Sequence, residues 1–250
     1  MKAVYKNPEN LQEFKWCPGC GHGTFVRIVQ EVLAEKGLVE NNVCIVGVGC
    51  SANIHAAVRG GNKVEAHHGR APATARGMKA VLPNTCIWTY QGDGDAYAIG
   101  MGETMLASLN GYPITTFVIN NFNYGMTGGQ SGPTTLPGQV TTTTPFGSTA
   151  IPFNSMPFIS AMEKAAFVAR GTTASVSEVI KLKGYISRAL DEQMKYGRYA
   201  FVEVLCPCPT NWHMAPLDAC EHILTNAVKV FPLGVFKDVP APDVTEGVSK

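Results

Sequence analysis

The sequence predicts an α/β fold in which a mostly parallel sheet is flanked by helices, and three observations carry the prediction. Residues 85–119 read as strand, tight turn, helix and second strand, a unit that places two parallel strands side by side through a right-handed crossover. Residues 43–48 form another apolar run, which ends in the glycine-flanked polar turn Gly47-Val48-Gly49-Cys50-Ser51. Tyr199 to Leu205 is a last buried strand, and it delivers Cys206-Pro207-Cys208-Pro209-Thr210-Asn211-Trp212. In open α/β sheets ligands bind beyond the carboxyl ends of the strands, where all these turns fall.

Taken in order, Met1 to Glu13 reads as an extended arm. Trp16-Cys17-Pro18-Gly19-Cys20-Gly21-His22-Gly23 follows, a knuckle whose proline and glycines turn both thiols toward one metal centre. Thr24 to Lys36 is a helix with Phe25, Ile28, Val29, Val32 and Leu33 on one face and Gly37 as its stop. After the strand at 43–48, the segment Glu65 to Pro72 leads into a helix through Ala80, with Pro72 in the first turn. The strand Thr85 to Tyr90 runs to Gly92-Asp93-Gly94-Asp95. A helix from Ala96 to Leu109 follows, with Ile99, Met105, Leu106 and Leu109 as its apolar contacts.

Ile114 to Ile119 is the next strand and ends on Asn120-Asn121. Gly132 to Pro157, rich in Thr, Gly and Pro, reads as a long functional loop over a ligand. Met156 to Ala166 is expected as a helix, Phe167 to Ala169 as a short strand, and Ser177 to Lys195 as a helix opened by a serine cap. The whole chain, 1–250, reads as one domain with an arm at about 1–13 and a tail at about 216–250, since no periodicity is visible beyond Pro216.

A chain of 250 residues can bury a full core. A net charge of +1 argues against nucleic acid as a partner. Charged residues are 16% and hydrophobic ones 45%, a balance that points to surface covered by other subunits. No apolar run reaches the roughly 18–20 residues of a membrane span, and Met1 to Lys15 lacks the apolar segment of a signal peptide, so a cytoplasmic location is expected. Structural disulfides are disfavoured there, which turns the 8 cysteines toward metal or cluster ligation. Cys44 and Cys86 lie inside apolar strands and read as small hydrophobes.

The densest chemistry lies at residues 91–130. A carboxylate (Asp93), an amide (Asn121) and nearby free carbonyls are hard oxygen ligands suited to magnesium completed by substrate phosphates. The glycines let backbone approach those phosphates. Two rival readings fail: a dinucleotide fingerprint needs Gly or Ala where Tyr97 stands, and a nucleotide-triphosphate loop needs a Gly-Lys-Ser/Thr that is absent.

Gly92-Asp93-Gly94, then 25 residues (95–119), then Asn120-Asn121 resembles the thiamine diphosphate motif. With Thr127-Gly128-Gly129-Gln130 and the Cys17-Pro18-Gly19-Cys20-Gly21 knuckle, residues 10–215 resemble the thiamine-binding β subunits of 2-oxoacid:ferredoxin oxidoreductases. The resemblance implies a thiamine diphosphate-binding fold, with Mg2+ held by the Asp93 and Asn121 side chains and the Asn123 carbonyl. Gly92, Gly94, Asp95 and the run Phe122, Asn123, Tyr124, Gly125, Met126 would surround the diphosphate. His22 and Cys50 would border the cofactor, and His68 and Arg70 could place a phosphate or substrate carboxylate, a structural ion pair being the competing reading. A [4Fe–4S] cluster is implied on Cys17, Cys20, Cys50 and Cys208; Cys206 is two residues from the fourth, and only the resemblance separates them.

No catalytic residue is assigned within the chain, because the activating glutamate is expected from a partner α subunit. A ferredoxin-type subunit and ferredoxin itself are expected as electron partners, and a 2-oxoacid and coenzyme A as substrates. The segment Glu65 to Pro72 with the Thr-rich loop resembles the 2-oxoisovalerate and 2-oxoglutarate members, the branched-chain type being favoured. The alternative is a non-oxidative thiamine decarboxylase component with structural zinc on the cysteines.

Overall fold

The computed structural model describes residues 9–241, so the arm and tail expected at 1–13 and 216–250 fall partly outside the described residues. Helix α1 (Gly21–Glu35) begins directly after the cysteine knuckle and buries Phe25, Ile28, Val29, Val32 and Leu33, as its periodicity predicts. Strand β1 (Asn42–Val46) leads through a helical turn at Cys50–Asn53 into α2 (Ile54–Ala57) and then β2 (Asn62–Glu65). The sequence gives no sign of β2: Asn62-Lys63-Val64-Glu65 holds one apolar residue, as suits a charged edge strand. Helix α3 (Ala71–Val81) carries Pro72 in its first turn and precedes β3 (Cys86–Gly92).

The helix expected from Ala96 to Leu109 is two pieces. A wide turn at Asp95–Ile99 closes with the Gly100 N–H donating to the Asp95 carbonyl, five residues back, and α4 (Met101–Asn110) follows. Of its expected apolar contacts only Met105 packs on the core; Ile99, Leu106 and Leu109 are 47%, 53% and 53% exposed. The small Ala96, Thr104, Ala107 and Ser108 face the sheet instead and let the helix lie close to it.

Strand β4 (Thr115–Asn120) opens onto the long loop, which ends at α5 (Met156–Ala161), shorter than predicted, and β5 (Ala165–Thr172), longer than predicted. Helix α6 (Val176–Tyr196) is capped by Ser175, whose hydroxyl accepts from the Glu178 N–H at 3.3 Å, and ends at Gly197 with φ +61°. Strand β6 (Tyr199–Leu205) agrees with the sequence. A short α7 (Pro209–Trp212) follows it, and the region read as a tail is folded as far as Asp238, through α8 (Pro216–His222), a turn at Ile223–Ala227, α9 (Val228–Val230) and β7 (Gly234–Asp238).

The strands form one sheet in the order β2-β1-β3-β4-β6-β5-β7, parallel except for β7, which runs antiparallel to β5. Side chains alternate between its two faces. Cys44, Cys86, Trp88, Tyr90 and Phe117 meet α1 and α6, while Val43, Ile45, Ile87, Val118 and Phe201 meet α3, α4 and α5. Burial on both faces explains the continuous apolar runs, each large side chain contributing about 1.5–3 kcal/mol. A third cluster of Phe122, Leu136, Leu205, Ile223 and Phe231 fastens the loop and the C-terminal helices to the carboxyl edge of the sheet.

Candidate functional site

The carboxyl ends of β1, β3 and β4 bring Cys50, Gly92-Asp93-Gly94-Asp95 and Asn121 together. They line one cavity with Asn123, Tyr124, Gly125, Met126, His22 and His68. Two predicted residues stay out of it. Phe122 has φ +60°, and its side chain stacks between Trp212 and Phe231 at 5.8 and 5.5 Å. The Arg70 guanidinium pairs with Glu103, so the ion-pair reading of that residue holds in the structure.

Asp95 is a clasp. Its carboxylate accepts from the His68 ring nitrogen Nδ1 at 2.9 Å, the Gly69 N–H at 2.9 Å and the Gln91 amide at 2.8 Å, and so joins β3 to the segment before α3.

Asp93 is different, because its two oxygens face different side chains. Oδ2 accepts from the Thr134 hydroxyl at 2.5 Å. Oδ1 faces the end of the Asn121 amide at 3.2 Å, and the same amide atom lies 2.7 Å from the Asn123 carbonyl oxygen. With the amide oxygen turned there, three acceptors converge with no donor among them, the set a hard cation requires; with the nitrogen turned there, the amide donates to both. Burial pushes the Asp93 carboxyl up to about 7, which a cation at Oδ1 would reverse. The donor set therefore fits magnesium.

Four thiols surround a second cavity. Cys17, Cys20, Cys50 and Cys208 line it with Trp16, Asn53, Asn121, Gly125, Asn211 and neighbouring residues. Cys206 does not; it is fully buried in the core between sheet and α1. Burial first, and then the neighbouring thiols of Cys20, Cys208 and Cys17, push Cys50 up to about 12. Four thiols around one cavity are the donor set that an iron–sulfur centre takes as thiolates. Cys20, His22 and Cys206 also place ligand atoms within 4.8 Å of one another, and Tyr90 holds His22 Nδ1.

Several residues that hold the site together escaped sequence reading. The Trp16 indole N–H donates to the Cys50 carbonyl at 2.7 Å, the Trp212 indole to Asn121 O at 3.2 Å, and the Asn211 amide to Gly125 O at 2.9 Å. The two cavities share Cys50, Asn121 and Gly125 as a common wall.

The family described as thiamine pyrophosphate enzyme, C-terminal TPP binding domain, matches residues 47–204. The 2-oxoglutarate synthase subunit KorB of Archaeoglobus fulgidus is 32% identical, over 100% of this chain and 95% of its own length. The chain belongs to the thiamine diphosphate-binding 2-oxoacid oxidoreductase subunits. Within that family the ketoisovalerate oxidoreductase subunit VorA of Methanothermobacter marburgensis is 35% identical over 95% of this chain, which spans only 53% of that relative's length. A solved 2-oxoglutarate:ferredoxin oxidoreductase from Magnetococcus marinus, with 2-oxoglutarate, coenzyme A and succinyl-CoA bound, superimposes with a TM-score of 0.76. The identity there is 26%, covering 96% of this oxidoreductase subunit and 87% of that chain.

Proposed function

We propose that this subunit works in the oxidative decarboxylation of a 2-oxoacid with coenzyme A, giving acyl-CoA, carbon dioxide and reduced ferredoxin. The observation that carries the reading is the common wall of Cys50, Asn121 and Gly125 between an oxygen-ligand cavity and a four-thiol cavity. Bound there, thiamine diphosphate would supply the carbanion chemistry and a [4Fe–4S] cluster the one-electron exit.

Asp93, Asn121 and the Asn123 carbonyl would hold Mg2+, and Gly92, Gly94, Tyr124, Gly125 and Met126 would enclose the diphosphate. His22 is buried, and burial lowers it to about 3, so the ring borders the cofactor as a neutral group. Asp95 fixes His68 at the cavity rim. Cys17, Cys20, Cys50 and Cys208 would ligate the cluster, with Trp16 and Asn211 tying the segments that carry them. An α subunit would bring the activating glutamate, and a ferredoxin-type subunit and ferredoxin would receive electrons in the cytoplasm.

A branched-chain 2-oxoacid is the favoured substrate, supported by the ketoisovalerate names of VorA relatives at 35% and 37% identity, with 2-oxoglutarate next. The test is coenzyme A-dependent ferredoxin reduction by the assembled complex with each acid. Faster turnover per KM on 3-methyl-2-oxobutanoate supports the substrate reading. Carbon dioxide release with no ferredoxin reduction would overturn the oxidative one in favour of a non-oxidative decarboxylase.

A further inference from the structure

Asp93 is the end of a buried chain of polar contacts that runs through the sheet. The Thr134 hydroxyl, fully buried, sits between Asp93 Oδ2 at 2.5 Å and Asn120 Oδ1 at 2.9 Å. That hydroxyl has one proton to give, so with Asp93 Oδ2 taking it Asn120 Oδ1 accepts from the Phe122 N–H at 3.2 Å, and the Asn120 amide nitrogen donates to Glu203 Oε1 at 3.2 Å. The Tyr97 hydroxyl donates to that same carboxylate oxygen at 2.8 Å, and the Arg170 guanidinium pairs with the other one. Arg170 in turn donates to Asn154 Oδ1 at 2.7 Å and to the Pro232 carbonyl at 3.2 Å. Thr134, Asn120, Glu203 and Arg170 all have 0% exposure.

We propose that Thr134 is a positioning residue for the divalent cation, and that the Glu203–Arg170 pair anchors it through Asn120. The inference rests on the reading of Asp93 as a magnesium ligand. Thr134 takes Oδ2 out of use and sets the torsion of the carboxylate, so that Oδ1 alone faces Asn121 and the Asn123 carbonyl. A one-sided carboxylate held to a single rotamer suits magnesium, which demands near-octahedral geometry, more than it suits calcium, which accepts bidentate and irregular coordination. The same contacts tie both ends of the long loop: Thr134 lies near its start at Asp93, and Asn154 lies near its end at Arg170. Loop closure and cation geometry are thereby one arrangement. Outer partners of this kind commonly change metal affinity by about 10–100-fold when removed.

The test measures thiamine diphosphate binding in the native assembly after removal of cofactor and metal, with Mg2+ or Ca2+ added back, for wild type, Thr134→Val, Thr134→Ser and Asp93→Asn. Thr134→Val is expected to need about 10–100-fold more Mg2+ for half-saturation, with a smaller change for Ca2+, while Thr134→Ser stays near wild type. An unchanged Mg2+ requirement in Thr134→Val, beside loss of binding in Asp93→Asn, overturns the positioning role and leaves the magnesium reading intact. Equal losses for Mg2+ and Ca2+ that serine does not rescue reduce Thr134 to a structural residue and also overturn it. An unchanged requirement in Asp93→Asn overturns the magnesium reading and the inference with it.

Discussion

His22 Nδ1 stands 2.5 Å from the hydroxyl oxygen of Tyr90, 68 residues further along the chain. Tyr90 has no other hydrogen-bond partner among the described residues, so its hydroxyl proton goes to Nδ1 and the ring proton of the neutral imidazole sits on Nε2. The ring, stacked on Trp16 at 6.0 Å, thus offers a donor to the cavity it lines. Tyr90→Phe removes that control. Nitrogen-15 spectra of histidine-labelled protein are expected to show the Nε2–H tautomer for His22 in wild type and a mixture in the variant, with a stability loss of about 1–3 kcal/mol for the orphaned nitrogen. A mixture already present in wild type would contradict the assignment.

Gly125 stands in the wall between the two cavities. A Cβ there would lie 3.2 Å from the Asn121 amide nitrogen and 3.4 Å from Cys50 Sγ, so Asn121 would have to give way while Cys50 came into close contact. Gly125→Ala is expected to lower thiamine and iron content together, each affinity falling by about 10-fold or more. Gly184→Ala, at an exposed position in α6 with nothing within 4 Å, is the control and should stabilise by about 0.5–1 kcal/mol. Loss of one cofactor without the other in Gly125→Ala would show that the wall is not shared in function.

The two neighbouring cysteines separate cleanly by position. Cys208→Ser removes a thiol that lines the four-cysteine cavity and is expected to cost most of the bound iron. Cys206→Ser alters a core thiol and should retain iron, at a stability cost of about 1–3 kcal/mol for a buried hydroxyl. Iron retained in the first variant and lost in the second would reverse the assignment.

Arg170 is fully buried against Glu203, with Phe231 and Phe236 under its guanidinium at 5.1 and 5.5 Å. Arg170→Met leaves the Glu203 carboxylate without its cation and is expected to cost about 3–5 kcal/mol in denaturant unfolding. A loss below about 1 kcal/mol, the range of exposed pairs, would mean the pair carries little.

What could be read in the sequence was local. Gly92-Asp93-Gly94, Asn121 and the Cys17–Cys20 knuckle announce their chemistry through residue type at short spacing, and the parallel strands through unbroken apolar runs. The partnerships that complete the site link distant positions, Thr134 to Asp93 across 41 residues and Asn211 to Gly125 across 86, and no local pattern marks them. Periodicity misplaced Ile99, Leu106 and Leu109 because it reports an apolar face, and an apolar face can lie on the surface of a single chain as well as in its core. The elements after Pro216 were missed because they are short and broken by wide turns, and their burial comes from Phe122, Leu136 and Leu205 of other segments.

The central claim is that four thiols hold an iron–sulfur centre beside the oxygen-ligand cavity. It is tested most directly by iron, sulfide and zinc analysis of the anaerobically purified native complex, with a visible spectrum before and after dithionite. About four irons and four sulfides assigned to this chain, with absorption that bleaches on reduction, is the predicted result. A colourless protein with one zinc and no sulfide would contradict it.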